Sequence, residues 1–190
     1  MTKTITLLII FLFLFSLFAT AQIHINEWMS SNSSAIADPN FGESGDWIEL
    51  FNDSNDTINI SGHFLTDNFN NKIKWRIPLN TKIPPNDFLL IWADGNDIGL
   101  HTNFKLSSEG EEIGLFNPDT LLLDSVTFGA IETDISMGRR TDGAANFAWF
   151  LEPTPGKSNS TQAYDGMTFT QPHFSVRGGF FDAPFELSLW

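Results

Sequence analysis

Beyond residue 21 the apolar positions come in short runs, and most of these runs alternate with polar residues. No window of a dozen residues places apolar side chains at i, i+3, i+4 and i+7, the repeat of a helix face. Two-residue alternation is the repeat of a strand, whose successive side chains point to opposite sides. The pattern predicts strands at 23–29, 46–51, 57–60, 64–66, 72–77, 88–92, 112–116, 121–128, 135–139 and 148–151. Between them lie breakers with a mechanism: Pro39 and Gly42, residues 52–56, residues 68–71, and Pro84-Pro85-Asn86. Such residues favour turns or cannot continue a ladder. Many short strands at even spacing predict an all-β sandwich or barrel.

The stretch "GDWIELFN" (45–52) sets acids among large apolar residues. Read as a strand, it puts Ile48 and Leu50 on the core face and Trp47, Glu49 and Phe51 on the other. Glu49 is then expected as a solvated or rim carboxylate, partly shielded by its aromatic neighbours. The strand 88–92 is apolar on both faces, with Leu89 and Ile91 opposite Phe88, Leu90 and Trp92, and is expected at the centre of its sheet. Gly138, in "ISMGRR", is expected at a bulge or a close backbone approach.

The first 21 residues have a different build. Lys3 gives a positive start, 5–18 is an almost unbroken apolar run, and Ala19-Thr20-Ala21 is a small-x-small cleavage site. That predicts a secretory signal peptide cleaved after Ala21. The run is short for a membrane span of about 20 residues. The chain has no cysteine, so a lipid-anchored lipoprotein is not expected, and no later stretch is apolar enough to cross a membrane. The expected location is extracellular or at the cell surface. Without Lys3, the chain from Gln22 carries one more negative charge than the full chain's −13. Nucleic acid and anionic lipid require clustered Lys and Arg, so neither is an expected partner. A protein or an extracellular polysaccharide is.

The expected organisation is a signal peptide at 1–21, a sandwich domain at 22–152, a linker at 153–166 and a second β-module at 167–190. The linker is inferred from Pro153, Pro155 and the small polar residues around them. A domain of this size can bury a core without disulfides. The last residues, "FELSLW", stop inside an alternating run, which reads as a truncated module or the front of a longer protein.

"INEWMSSN", "DWIELFN", "INISGHFLTD", "IKWRIPLNTKIPPNDFLLIWADG", "EGEEIGLFNPD", "LLLDSVTFG", "DISMGRRTDG" and "PTPGKSN" occur in this order. Together, over about 23–159, they resemble the lamin tail domain. That is an immunoglobulin-like module of nuclear lamins that also occurs in secreted bacterial proteins. The signal peptide and the INE…DWIEL opening resemble the bacterial branch. The resemblance implies an immunoglobulin-like β-sandwich. The tail "PHFSVRGGFFDAPFELSL" resembles the first strand and turn of a chitobiase/β-hexosaminidase C-terminal-type module. Some bacterial relatives continue into a CotH-like kinase domain, but no Gly-rich loop with its Lys, no HRD and no DFG is present here.

Candidate chemistry is sparse. Glu27, Glu43, Asp46, Glu49, Glu111 and Glu112 supply carboxylates, but a hydrolytic pair is defined by separation in space. A G-x-S-x-G elbow and cysteine are both lacking. His24, His63, His101 and His173 form neither H-x-H nor H-E-x-x-H, so zinc has no local support and each is read as surface or structural. Calcium has oxygen donors in place at Asp38, Asn40 and Asp46 around Gly42, with further turn donors at Asp67 and Asn68 and at Asp94, Asn96 and Asp97. The same residue types are ordinary turn formers. Among Trp28, Trp47, Trp75, Trp92 and Trp149, packing is the default. Trp47, with Phe51 beside it, is the candidate for an exposed ligand contact. Sequons at Asn32, Asn52, Asn55, Asn59 and Asn159 act only in a glycosylating secretory route.

The residues present are expected to carry no catalytic site and no cofactor. The leading expectation is an exported, non-catalytic module that positions or attaches a larger protein. Two others stay open: the accessory front of a secreted enzyme, CotH-kinase-like or carbohydrate-active, and a calcium- or carbohydrate-binding domain acting in its own right.

Overall fold

The computed structural model describes residues 22–167 and the isolated positions 184 and 186. The signal-peptide stretch, His173 and nearly all of the expected second module lie outside these residues. Among the described residues twelve strands succeed one another: β1 (Ile23–Met29), β2 (Trp47–Asn52), β3 (Ile58–Asn59), β4 (Phe64–Thr66), β5 (Trp75–Arg76), β6 (Lys82–Ile83), β7 (Phe88–Trp92), β8 (Gly110–Phe116), β9 (Leu122–Gly129), β10 (Ser136–Arg139), β11 (Phe147–Phe150) and β12 (Ala163–Tyr164). Each expected strand has its counterpart, shifted at some ends. The additions are β6 and β12, two residues each, too short for an alternating pattern to show.

The strands form an immunoglobulin-like sandwich. One sheet has six strands in the order β12-β11-β10-β1-β2-β7, and the other has four, β5-β4-β8-β9. The pair β3-β6 closes one side. All named pairs are antiparallel. Ile25, Ile48, Leu50 and Ile91 from the first sheet meet Leu65, Ile113, Leu115, Val126 and Phe128 from the second in one core. Ile60, Ile77 and Ile83 belong to the same core. Gly62 turns the chain from β3 to β4 at φ 78°, a left-handed conformation that suits glycine. Among the described residues no helix is long and apolar enough to cross a membrane.

β1 carries a bulge that sets which of its side chains reach the outer face. Ile25 faces Leu50, yet Glu27 faces Glu49, so Asn26 is the extra residue. A bulge turns the residues beyond it to the opposite face. Ile23 and Ile25 therefore point inward, Glu27 points outward, and Trp28 returns to the core.

The outer face of this sheet is not wet, which corrects the expectation for Glu49. Glu27, Glu49 and Trp47 have no exposed surface. The β1–β2 loop brings Ile36 onto Met29, Trp47 and Trp92 as a second apolar cluster. Residues 154–159 cover the rest, held by hydrogen bonds from Thr154 to Glu27 and from Gly156 to Glu49. The strand 88–92 also differs from expectation, since β7 is an edge strand. Its two apolar faces are both packed, Leu89 and Ile91 on the core and Leu90 and Trp92 in the second cluster with Ile36. The following loop supplies an edge neighbour at Trp92: Trp92 N donates to Leu100 O (2.9 Å) and Thr102 N to Trp92 O (2.8 Å).

Candidate functional site

Two constellations of polar side chains stand out. The first is the covered outer face of β1 and β2. Glu27 and Glu49 lie directly opposite each other there. Like charges in such a cross-strand pair repel, so the surroundings must compensate. Glu27 accepts hydrogen bonds from Ser136 Oγ, from Thr154 N (3.1 and 3.2 Å) and from Thr154 Oγ1 (2.9 Å). Glu49 accepts from Asn26 Nδ2 at 3.0 Å and from Gly156 N at 2.6 Å. Asn26 Nδ2 also reaches Asp142 Oδ1 at 3.0 Å, and its Oδ1 accepts from Gly143 N at 3.2 Å. Asn159 Nδ2 donates to Arg139 O (2.6 Å), while its backbone N–H donates to Asp142 Oδ1 (3.0 Å).

Burial pushes the Glu49 carboxyl up to about 8, with the charges of Glu27 and Asp142 adding to the rise and the donors Asn26 and Gly156 opposing it. Burial also raises Glu27, against the pull of Ser136 and Thr154. At neutral pH the Glu49 carboxyl therefore holds its proton. A raised carboxyl beside a second acid suits a general acid, but such a group must touch a substrate. Here the chain's own residues 154–159 occupy both carboxyls, and neither is exposed. The geometry is that of an internal latch.

The latch bears on the stretch expected as a linker. Thr154 and Asn159 are buried, and Ala163–Tyr164 pairs with β11 as an edge strand. The latch also needs Gly138. A Cβ there would sit 2.8 Å from Asn26 O, 3.0 Å from Glu27 Cγ and 3.1 Å from Asn159 Nδ2. This is the close approach expected for that glycine.

The second constellation joins the β1–β2 loop to the loop after β7. Asp38, Asp94 and His101 each place one ligand-type atom within 4.8 Å of the others. His101 is 3 % exposed and Asp38 2 %. Phe41 lies edge-on to His101, with ring centroids 5.0 Å apart. Of the three expected calcium donors, Asp38 and Asn40 belong to this cluster. Asp46 is turned to other partners, accepting from Asn32 N at 3.2 Å. Asp94 is one of the expected turn donors. His101 carries no signal in the sequence: Asp94 shares its loop, but Asp38 and Asn40 come from a distant one.

The remaining candidates separate. Trp47 is fully buried and Phe51 is 8 % exposed, stacked on Phe88 with centroids 4.9 Å apart. This corrects their reading as an exposed ligand contact: the loop carrying Ile36 covers the face that alternation left open. Trp28, Trp75 and Trp92 are buried as well. A cleft of about 730 Å³ is open and lined by Asp67, Lys74, Glu111 and Glu112 among others. Three of its four acids are committed, Asp67 to Lys74 Nζ, Glu111 to Ser107 N and Glu112 to Phe69 N, and the fourth, Glu109, is exposed.

The family model described as Lamin Tail Domain matches residues 17–130. No curated protein matches the chain.

Proposed function

The chain belongs to the lamin tail domain family, and from that premise we propose an exported, non-catalytic module. It positions or attaches a larger protein at the cell surface or in extracellular material. The observation that carries this reading is the sealed Glu27–Glu49 pair. The buried acids Glu27 and Glu49 are bound by the chain's own Thr154 and Gly156, so they serve the fold and leave no room for substrate. The negative charge and the apolar run of 5–18 ahead of Ala19-Thr20-Ala21 support export. In this reading the chain is of the secreted bacterial type, and 167–190 begins a chitobiase-type β-module. The packed segment runs on to β12, so the attachment point to that module lies after Tyr164.

Expression of the full chain in a secreting bacterial host tests this. The exported protein should begin at Gln22 by intact mass, sediment with cell-surface or extracellular material, and turn over no glycosidic, ester or peptide substrate. Retention in the cytoplasm with residues 1–21 intact, or turnover abolished by Glu49→Gln, overturns it.

A further inference from the structure

We propose that Asp38, Asp94 and His101 form a binding site for a zinc-class divalent cation, with His101 Nε2 and Asp38 Oδ2 as direct ligands. The lone pairs carry the inference. His101 Nδ1 lies 2.8 Å from Asp94 Oδ2. A carboxylate only accepts, so Nδ1 carries a proton, and Nε2 uses its lone pair to accept from Asn40 Nδ2 at 3.2 Å. Asp38 Oδ2 lies 3.8 Å from that Nε2. It is buried and has no hydrogen-bond partner, whereas Asp38 Oδ1 is satisfied by Asn40 N at 2.8 Å. Two acceptors thus face one another across a gap too long for a hydrogen bond. A buried carboxylate oxygen without a donor is costly. A cation between the two atoms removes that cost.

The separation fits an ion. Zinc binds imidazole nitrogen and carboxylate oxygen at about 2.0–2.2 Å, which sets two of its ligands roughly 3–4 Å apart. Asp94 fixes the ring and its tautomer from behind, the carboxylate–histidine–metal arrangement that tunes such ligands. Asp94 is itself held, accepting from Asn96 N at 3.0 Å and Asn96 Nδ2 at 2.7 Å. An ion at Nε2 displaces Asn40 Nδ2, which lies 3.2 Å from that nitrogen, and rotation of the amide then brings the Asn40 carbonyl to the ion as a third donor. Water completes the coordination from the adjoining cavity of about 140 Å³, which Asp38, Asp94 and Lys105 help to line. The imidazole selects against calcium, which takes oxygen ligands, and in favour of zinc, cobalt, nickel or copper. Lys105 is a built-in competitor, because its ammonium offers positive charge to the same cavity. The ion pins the β1–β2 loop, and with it the lid over Trp47, to the loop that shields β7. This site stands whether or not the chain is exported.

The test uses the full chain, stripped with a chelator and then titrated with zinc, cobalt(II) or calcium. Zinc should bind with a stoichiometry of one ion per chain by calorimetry. It should raise Tm by roughly 5–10 °C at a hundredfold excess over Kd. Cobalt should give a visible absorption band that zinc abolishes, a readout on the unaltered chain that needs no variant to fold. Asp38→Asn and His101→Gln should each lose the band, and Asp94→Asn should weaken binding about 10–100-fold. Asp46→Asn should leave it unchanged, and Lys105→Met should tighten it. Absence of heat, Tm shift and cobalt band at millimolar metal overturns the proposal. So does binding that survives Asp38→Asn and His101→Gln, or a response to calcium equal to that to zinc.

Discussion

Raising the pH should destabilise this sandwich through Glu49, and Glu49→Gln should remove that part of the dependence. The folded carboxyl titrates at about 8 against an ordinary 4.5, so the folded chain holds a proton that the unfolded chain releases. The associated stability is whole below about pH 4.5. It shrinks as the pH climbs from there, and is lost once the pH passes about 8. Each pH unit inside that window is about 1.4 kcal/mol, which sums to on the order of 5 kcal/mol. That figure is a ceiling, because a charged site relaxes and admits water. The glutamine keeps the shape but cannot ionise. It sets an amide N–H against Asn26 Nδ2 or Gly156 N, the two donors that Glu49 accepts, at about 1–3 kcal/mol. The variant should therefore be the less stable protein near pH 5 and equal or better near pH 9. Urea denaturation followed by tryptophan fluorescence, across that range and with constant m, measures the difference. The Glu27 charge helps raise Glu49, so the two titrate as a pair and the pH-dependent gap reports Glu49 together with its coupling to Glu27. A gap between parent and variant that stays constant with pH would show that burial does not shift Glu49, and the latch would need another explanation.

Thr154→Val removes the hydroxyl that donates to Glu27 Oε2 at 2.9 Å. Urea denaturation should show a loss of about 1–3 kcal/mol, the range for leaving a buried group without its hydrogen-bond partner, and limited proteolysis should cut sooner between 153 and 164. Gly138→Ala should cost about 1–3 kcal/mol in the same assay, because its methyl would meet the Asn26 carbonyl at 2.8 Å. Trp47→Ala should cost about 3–5 kcal/mol as a buried aromatic, whereas a solvated Trp47 would cost less than about 0.5 kcal/mol. Asp134 accepts from Ser34 Oγ and from the amides of Ser34 and Ser33, which hold its carboxyl down at about 2. Its contribution is present above the ordinary 3.8 and lost as the pH falls toward 2, so Asp134→Asn should flatten the acid limb of a Tm–pH curve.

The longer strands are legible because they are short apolar or alternating runs set between turn formers, and their number and spacing imply the sandwich. What alternation shows is that a strand has two unlike faces. It does not show which face stays open, because that depends on segments without a period. Ile36 covers Trp47 from a loop, and Thr154 and Gly156 cover the two glutamates from a stretch whose prolines and serines read as a linker. β7 makes the same point in reverse. Its two apolar faces suggest a central strand, but Leu100 and Thr102 supply the missing neighbour along an edge. The Asp38–His101 contact is invisible for a related reason: metal-ligand spacing is readable only when the donors share one element.

One inserted residue joins fold and chemistry here. Without the bulge at Asn26, strict alternation would carry Glu27 onto the inner face with Ile23 and Ile25, where an ionisable group would face only the apolar core. The bulge turns Glu27 outward to face Glu49 and releases the Asn26 side chain to hydrogen-bond Glu49 and Asp142. Two acids on a covered face then demand donors, and the segment from Thr154 to Asn159 supplies them. The "INE" of β1, the "WIEL" of β2 and the "PTPGKSN" after β11 are therefore one unit. Asparagine makes the bulge, the glutamates accept, and the proline-bounded segment closes over them. A change in any of the three should weaken the grip of the other two, and a Thr154→Val/Glu49→Gln double-mutant cycle should show coupling of about 0.5–3 kcal/mol. Strict additivity of the two losses would mean that the lid and the pair fold as separate features.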